Sequence, residues 1–262
     1  FFQAEDGIRA VERSRGLGDV YKRQPQKQHF EMVFQVARKA GFMDDRHSSI
    51  HVNFGSVLDT DGRVLKSREG EVIKLHDLLS EAVIRANSAI EEKNPELIGE
   101  QRNNVASMVG IGAVKYADLS TERTKDYVFE WEKMLSFEGN TAPYLQYAHA
   151  RICSIFRKWA GERSNIPDFE ISCCEPEESN LARRLVRFPS ALDETITTFS
   201  PHKLCTHLHS VASAFASFYE ACQVLGSGDE AVEKSRLALC DLTAKQLELG
   251  LGLLGIGVPE KM

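Results

Sequence analysis

Across residues 203–225, Leu204, Leu208, Val211, Phe215, Phe218 and Cys222 recur at three- and four-residue spacing. That stripe fits one face of a helix and no strand, and it needs other helices to cover it. Further helical patterns run over residues 96–117, 124–135, 141–159, 181–186, 191–199 and 230–249. Their connections are short, so neighbours should run roughly antiparallel and close into a bundle. The acidic stretch ISCCEPEESN, residues 171–180, is expected to be a linker, and the glycine-rich tail from Gly250 to be irregular. His207 lies beside the stripe without a partner at ligand spacing, so it is expected to pack as a core histidine, as are His202 and His209.

The chain ahead of the bundle differs. Residues 29–40 have helical spacing with Gly41 as a stop, and two strand-like runs, 51–58 and 63–66, flank an Asp61-Gly62 turn that predicts a hairpin. A helix is predicted over 75–93, ended by Asn94-Pro95. Residues 1–24, FFQAEDGIRAVERSRGLGDVYKRQ, hold no sustained period and resemble read-through adapter sequence rather than a signal or transit peptide. They are expected to be a non-native leader, with a natural chain entering near Pro25. The division that follows is 1–24, 25–138 and 139–262.

Composition narrows the function. A formal net charge of -6 gives no general attraction to polyanions, so contact with nucleic acid requires a local patch. No apolar run approaches the roughly 20 residues of a membrane span. Six cysteines without a C-x-x-C pair fit a reducing compartment and give no metal site, and four of them fall in helical patterns as small buried residues.

The stretch GNTAPYLQYAHARICSIFRK, residues 139–158, carries two unlike faces. Leu145, Ala148, Ile152, Ile155, Phe156 and, just beyond it, Trp159 are spaced for burial; Tyr144, Tyr147, Arg151, Ser154 and Lys158 form an aromatic and basic face. Unpaired bases are held by stacking on rings and by cations along the backbone, which is what this second face offers. The other reading packs both rings on a neighbouring helix. Upstream, Lys66, Ser67 and Arg68 beside Gly70 form a loop that could neutralise phosphates, a composition also common in surface loops.

Taken in order, QKQHFEMVFQVARKAG, HVNFGSVLDTDGRVLKSREGEVIKLHDLLSEA, VGIGAVKYADLSTERTKDYVFEWEKML, GNTAPYLQYAHARICSIFRK and VPEKM resemble the C-terminal half of the arginyl-tRNA synthetases, class I aminoacyl-tRNA synthetases. The resemblance implies a mostly α chain: a remnant of a Rossmann-like catalytic domain followed by an α-helical anticodon-binding bundle. It implies ATP as substrate, Mg2+ with its phosphates, arginine and its tRNA as partners, no DNA or membrane, a monomer and a cytoplasmic location, with an organellar parent left open. By resemblance Lys66 and Arg68 serve catalysis, with Lys66 and Ser67 at the ATP phosphates and His51, Val52 and Phe54 beside the adenosine. Gln26 falls near the arginine, and Tyr144, Tyr147, Arg151, Lys158 and Met262 fall against the anticodon loop. The family's His-x-Gly-His sequence is absent, so the chain as it stands is expected not to aminoacylate. A non-catalytic helical module that binds tRNA or docks on a protein stays open beside the enzyme.

Overall fold

The computed structural model describes residues 24–55, 57–58 and 75–262. The predicted leader, apart from Gln24, and the loop with Lys66, Ser67 and Arg68 lie outside the described residues. The chain divides into two units at Asn53. In the first, helix α1 (Gln24–Lys39) is stopped by Gly41, whose φ of 76° lies in the left-handed region. Arg38 Nη2 donates to Ser49 Oγ over 3.0 Å, and the His51 ring stacks on Phe30 at 5.0 Å.

The second unit opens with β1 (Val57–Leu58) and continues through α2 (Leu75–Lys93), α3 (Gly99–Ser120), β2 (Tyr127–Val128) and the short α4 (Trp131–Met134). Then come α5 (Ala142–Lys158), a 3-10 turn (Arg163–Asp168), α6 (Pro176–Leu185), α7 (Phe188–Thr198), α8 (Pro201–Ala221) and α9 (Glu230–Leu253). Strands β1 and β2 pair in parallel, Val57 opposite Tyr127 and Leu58 opposite Val128. The expected helix over 124–135 therefore fails at Tyr127 and Val128 and survives only as Trp131–Met134. Tyr127 and Val128 suit a pleated edge, and an extended segment far upstream in sequence supplies one, which helical spacing alone cannot reveal. The other arm of the predicted hairpin, 63–66, lies outside the described residues.

Helices α2 and α3 pack closely through Ala86, Ile90, Val105, Ala106 and Val109. Gly110 permits the approach: a Cβ there would lie 2.6 Å from the Ala82 carbonyl oxygen and 2.8 Å from the Val83 Cα. The main core joins α3 and α5 to α6, α7, α8 and α9. Leu145 and Ile152 of α5 meet Leu208, Val211, Phe215 and Phe218 of α8 and Leu237, Leu247 and Leu251 of α9, each such side chain contributing about 1.5–3 kcal/mol by leaving water. The predicted stripes of α5 and α8 are this core.

Two further expectations fail locally. The second half of the acidic stretch is the first turn of α6: Pro176 starts it and Glu175 and Glu178 form a reciprocal capping box, with Glu178 only 1% exposed. Helix α9 runs on to Leu253, so the irregular tail starts later than Gly250. His207 packs as expected, 5.7 Å from the Phe188 ring and 3.5 Å from Gln246 Oε1, and burial lowers its pKa. Cys153, Cys205, Cys222 and Cys240 are buried thiols, and burial pushes Cys205 up to about 12. Among the described residues no helix is long and apolar enough to cross a membrane.

Candidate nucleic-acid interface

Helix α5 starts where Thr141 accepts the Tyr144 N–H, while its own hydroxyl donates to the Ser136 carbonyl over 2.6 Å. Pro143 in the first turn fixes the helical φ there. With the core face set by Leu145, Ile152 and Ile155, the helical repeat turns Tyr147, Arg151 and Lys158 outward.

Tyr147 is 37% exposed and held on two sides. Phe137 meets it edge-on at 6.4 Å, and Lys93 at the end of α2 covers the Phe137 ring at 4.6 Å. On the other side the Arg151 guanidinium lies 4.9 Å from the Tyr147 ring centre and 5.1 Å from that of Tyr219 on α8, and Arg151 Nη2 donates to the Tyr147 hydroxyl over 3.1 Å. Beyond Arg151 opens a cleft of about 360 Å³, lined by Arg151, Ser154, Lys158, Tyr219 and residues 222–225. Its lining carries two cations and no carboxylate. In a chain of net charge -6 this is a local basic patch flanked by rings.

Tyr144 differs from Tyr147. It is half-buried, packs against the bundle core and tilts on His209 at 5.7 Å. Met262 packs against the α2–α3 cluster, where Asn94 Nδ2 donates to its carbonyl over 3.2 Å. The final segment is threaded along α5: Gln146 Nε2 donates to the carbonyls of Met108 and Gly257, and Arg157 Nη1 donates to that of Glu260. His149 Nδ1 lies 3.2 Å from the Pro259 carbonyl, which can only accept, so that nitrogen carries the proton; burial lowers the His149 pKa.

The structure thus brings Tyr147 and Arg151 together, lines one cleft with Arg151 and Lys158 of the same helix and leaves Tyr144 half in the core. Gln26 lies on α1, while Phe54 is 79% exposed and Val52 is exposed. Phe137, Lys93 and Tyr219 were not legible as site residues. Tyr219 sits one position beyond the core residue Phe218, and only its outward aromatic ring marks it. Among the described residues no group of three or more His, Cys, Asp or Glu side chains could hold a metal ion. The arrangement offers rings for stacking and cations for charge contacts.

Two family matches cover most of the chain. The family described as DALR anticodon binding domain matches residues 145–262, and the one described as tRNA synthetases class I (R), catalytic domain, matches residues 19–131. Arginine–tRNA ligase of Cellvibrio japonicus is 52% identical over 238 residues, 90% of this chain and 41% of the relative. That of Proteus mirabilis is 46% identical over 237 residues, again 41% of its length, so the chain spans well under half of these relatives. Among solved structures, Thermus thermophilus arginyl-tRNA synthetase superposes with a TM-score of 0.71 at 35% identity, over 81% of this chain and 35% of the other. The Plasmodium falciparum enzyme gives 0.76 at 31%, over 91% and 40%.

Proposed function

The chain belongs to the arginyl-tRNA synthetase family, and from that premise we propose that it is the anticodon-reading part, with the end of the catalytic domain, of an enzyme that joins arginine to its tRNA. The observation that carries the reading is Tyr147: a partly exposed ring held by Phe137 and by Arg151, which itself lines a basic cleft. An unpaired anticodon base stacks on Tyr147, a neighbouring base enters the cleft beside Tyr219, and Arg151 and Lys158 meet the phosphates. Tyr144 braces the platform from the core side, and Met262 contributes at its edge through the α2 terminus.

The catalytic roles rest on sequence position. Arginine is activated by ATP to an adenylate, Lys66, Ser67 and Arg68 neutralise charge developing on the departing pyrophosphate, and Mg2+ accompanies the phosphates. His51, Val52 and Phe54 border the adenosine and Gln26 the arginine. The enzyme works as a monomer in the reducing cytoplasm, where the free thiols persist.

The test is fluorescence anisotropy of the chain with an arginine tRNA anticodon hairpin, against the same hairpin with abasic loop nucleotides. Stacking predicts at least roughly tenfold weaker binding of the abasic hairpin, from about 1–3 kcal/mol per lost base. Equal affinity for the two would overturn the reading.

A further inference from the structure

The acidic stretch expected to be a linker instead supplies a buried anion, and its partner reaches the cleft. Glu178 Oε1 accepts from Arg236 Nε over 2.6 Å, while Glu178 Oε2 accepts the backbone N–H groups of Cys174 and Glu175 at 2.6 and 3.0 Å. Burial alone would raise the Glu178 pKa, but the Arg236 guanidinium and those two N–H groups hold its carboxyl below the usual range. The other arm of Arg236 is aimed elsewhere: Nη1 donates to the Gln223 carbonyl over 2.8 Å. Gln223, Val224 and Leu225 form one wall of the cleft.

That wall is fixed at each step. Gln223 Nε2 donates to the carbonyls of Leu225 and Gly226, Gly226 turns with a φ of 74°, and its N–H donates to Glu233 Oε2 over 2.7 Å. Taking two charges out of water costs several kcal/mol per ion, and a well-packed apolar pair would stabilise the bundle at least as well. A buried ion pair whose free arm holds the main chain at Gln223, an exposed residue between the core residues Cys222 and Val224, has a different use. We propose that Arg236, held by Glu178, is a positioning residue that pre-forms the Gln223–Leu225 wall of the cleft for an anticodon-loop base. The inference rests on the proposed reading of the cleft as a base site.

Arginine suits this place because two separate nitrogens of its planar fork, Nε and Nη1, reach Glu178 and the Gln223 carbonyl, whereas lysine has one nitrogen at the end of a flexible stem. Two variants separate the role from simple stability. Arg236→Lys keeps the ion pair and loses the tether; Glu178→Leu with Arg236→Met replaces the pair by apolar groups. Each is measured with the intact anticodon hairpin, with the abasic hairpin and by thermal unfolding. Both variants should bind the intact hairpin on the order of tenfold more weakly and the abasic hairpin unchanged, because only a base senses the wall. Wild-type affinity for the intact hairpin, or an equal loss for both hairpins, overturns the inference. Failure of the wild-type comparison between the two hairpins instead sinks the reading of the cleft itself. A second measurement does not depend on variants folding: in the wild type the Gly226 amide should exchange slowly before RNA is added and no slower after. Protection that appears only with RNA would show that the wall is not pre-formed.

Discussion

Replacing Tyr147 and Tyr144 by alanine, one at a time, separates platform from core. Tyr147 keeps a third of its surface in water and gives the fold an edge contact with Phe137 and a cation contact with Arg151. Such contacts are worth about 0.5–1.5 and 0.5–1 kcal/mol, so Tyr147→Ala should cost the fold about 1–2.5 kcal/mol. Its loss in binding should be larger in consequence: one base stack of about 1–3 kcal/mol raises Kd by roughly five- to 150-fold. Tyr144 inverts the ratio. Its ring packs on the core and on His209, so Tyr144→Ala should destabilise by about 2–4 kcal/mol, below the value for a fully buried ring. Tyr147→Phe keeps the ring and drops only the hydroxyl bonded to Arg151, and should bind within about threefold of wild type. Urea unfolding reports the stability terms and hairpin anisotropy the affinities. Should Tyr147→Ala bind the intact hairpin within a factor of about two of wild type, the stacking argument fails.

Three other outcomes are expected. Gly110→Ala would gain about 1 kcal/mol in helix propensity but force α2 and α3 apart against backbone atoms, at about 1–3 kcal/mol; a net loss should appear as a lower urea midpoint, and a raised one would contradict the close approach. Burial lowers the His149 pKa from 6.5, so between its folded pKa and 6.5 the unfolded chain binds the extra proton and stability falls as pH falls. His149→Gln should shallow that loss as pH falls through 6.5, the remainder coming from His207 and His209, whose pKa values are also lowered by burial; an unchanged pH profile of the urea midpoint would refute this. Lys158→Gln should weaken intact and abasic hairpins alike and reduce the slope of log K against log salt by about one. An unaltered slope would remove Lys158 from the phosphates.

What the residues disclosed in advance follows from how local each signal is. The stripe on α8, the buried face of α5 and the packing of His207 are properties of single helices, and the 3.6-residue period exposes them. Tyr127 and Val128 were read as helix because their strand partner is distant in sequence. Glu178 was read as part of a linker because its burial depends on Arg236, on another helix. The candidate interface divides likewise: Tyr147, Arg151 and Lys158 share one helix and were visible together. Tyr219, Phe137 and Lys93 arrive from three other segments, and only tertiary packing selects them.

The close seating of α2 on α3 at Gly110 also makes the pair a strut. Over its 19 residues α2 spans roughly 28 Å at about 1.5 Å per residue. One end carries Lys93 over Phe137 and Asn94 on the Met262 carbonyl; the other begins at Leu75, and α3 returns from Gly99 to Ser120, shortly before β2 joins β1. With no slack between the two helices, a tilt of one degree about the Lys93 end swings Leu75 by roughly 0.5 Å, the arc of a rod of that length. A tilt of that size, small enough to leave the contacts under Tyr147 in place, would move the start of α2 by about a third of a bond length.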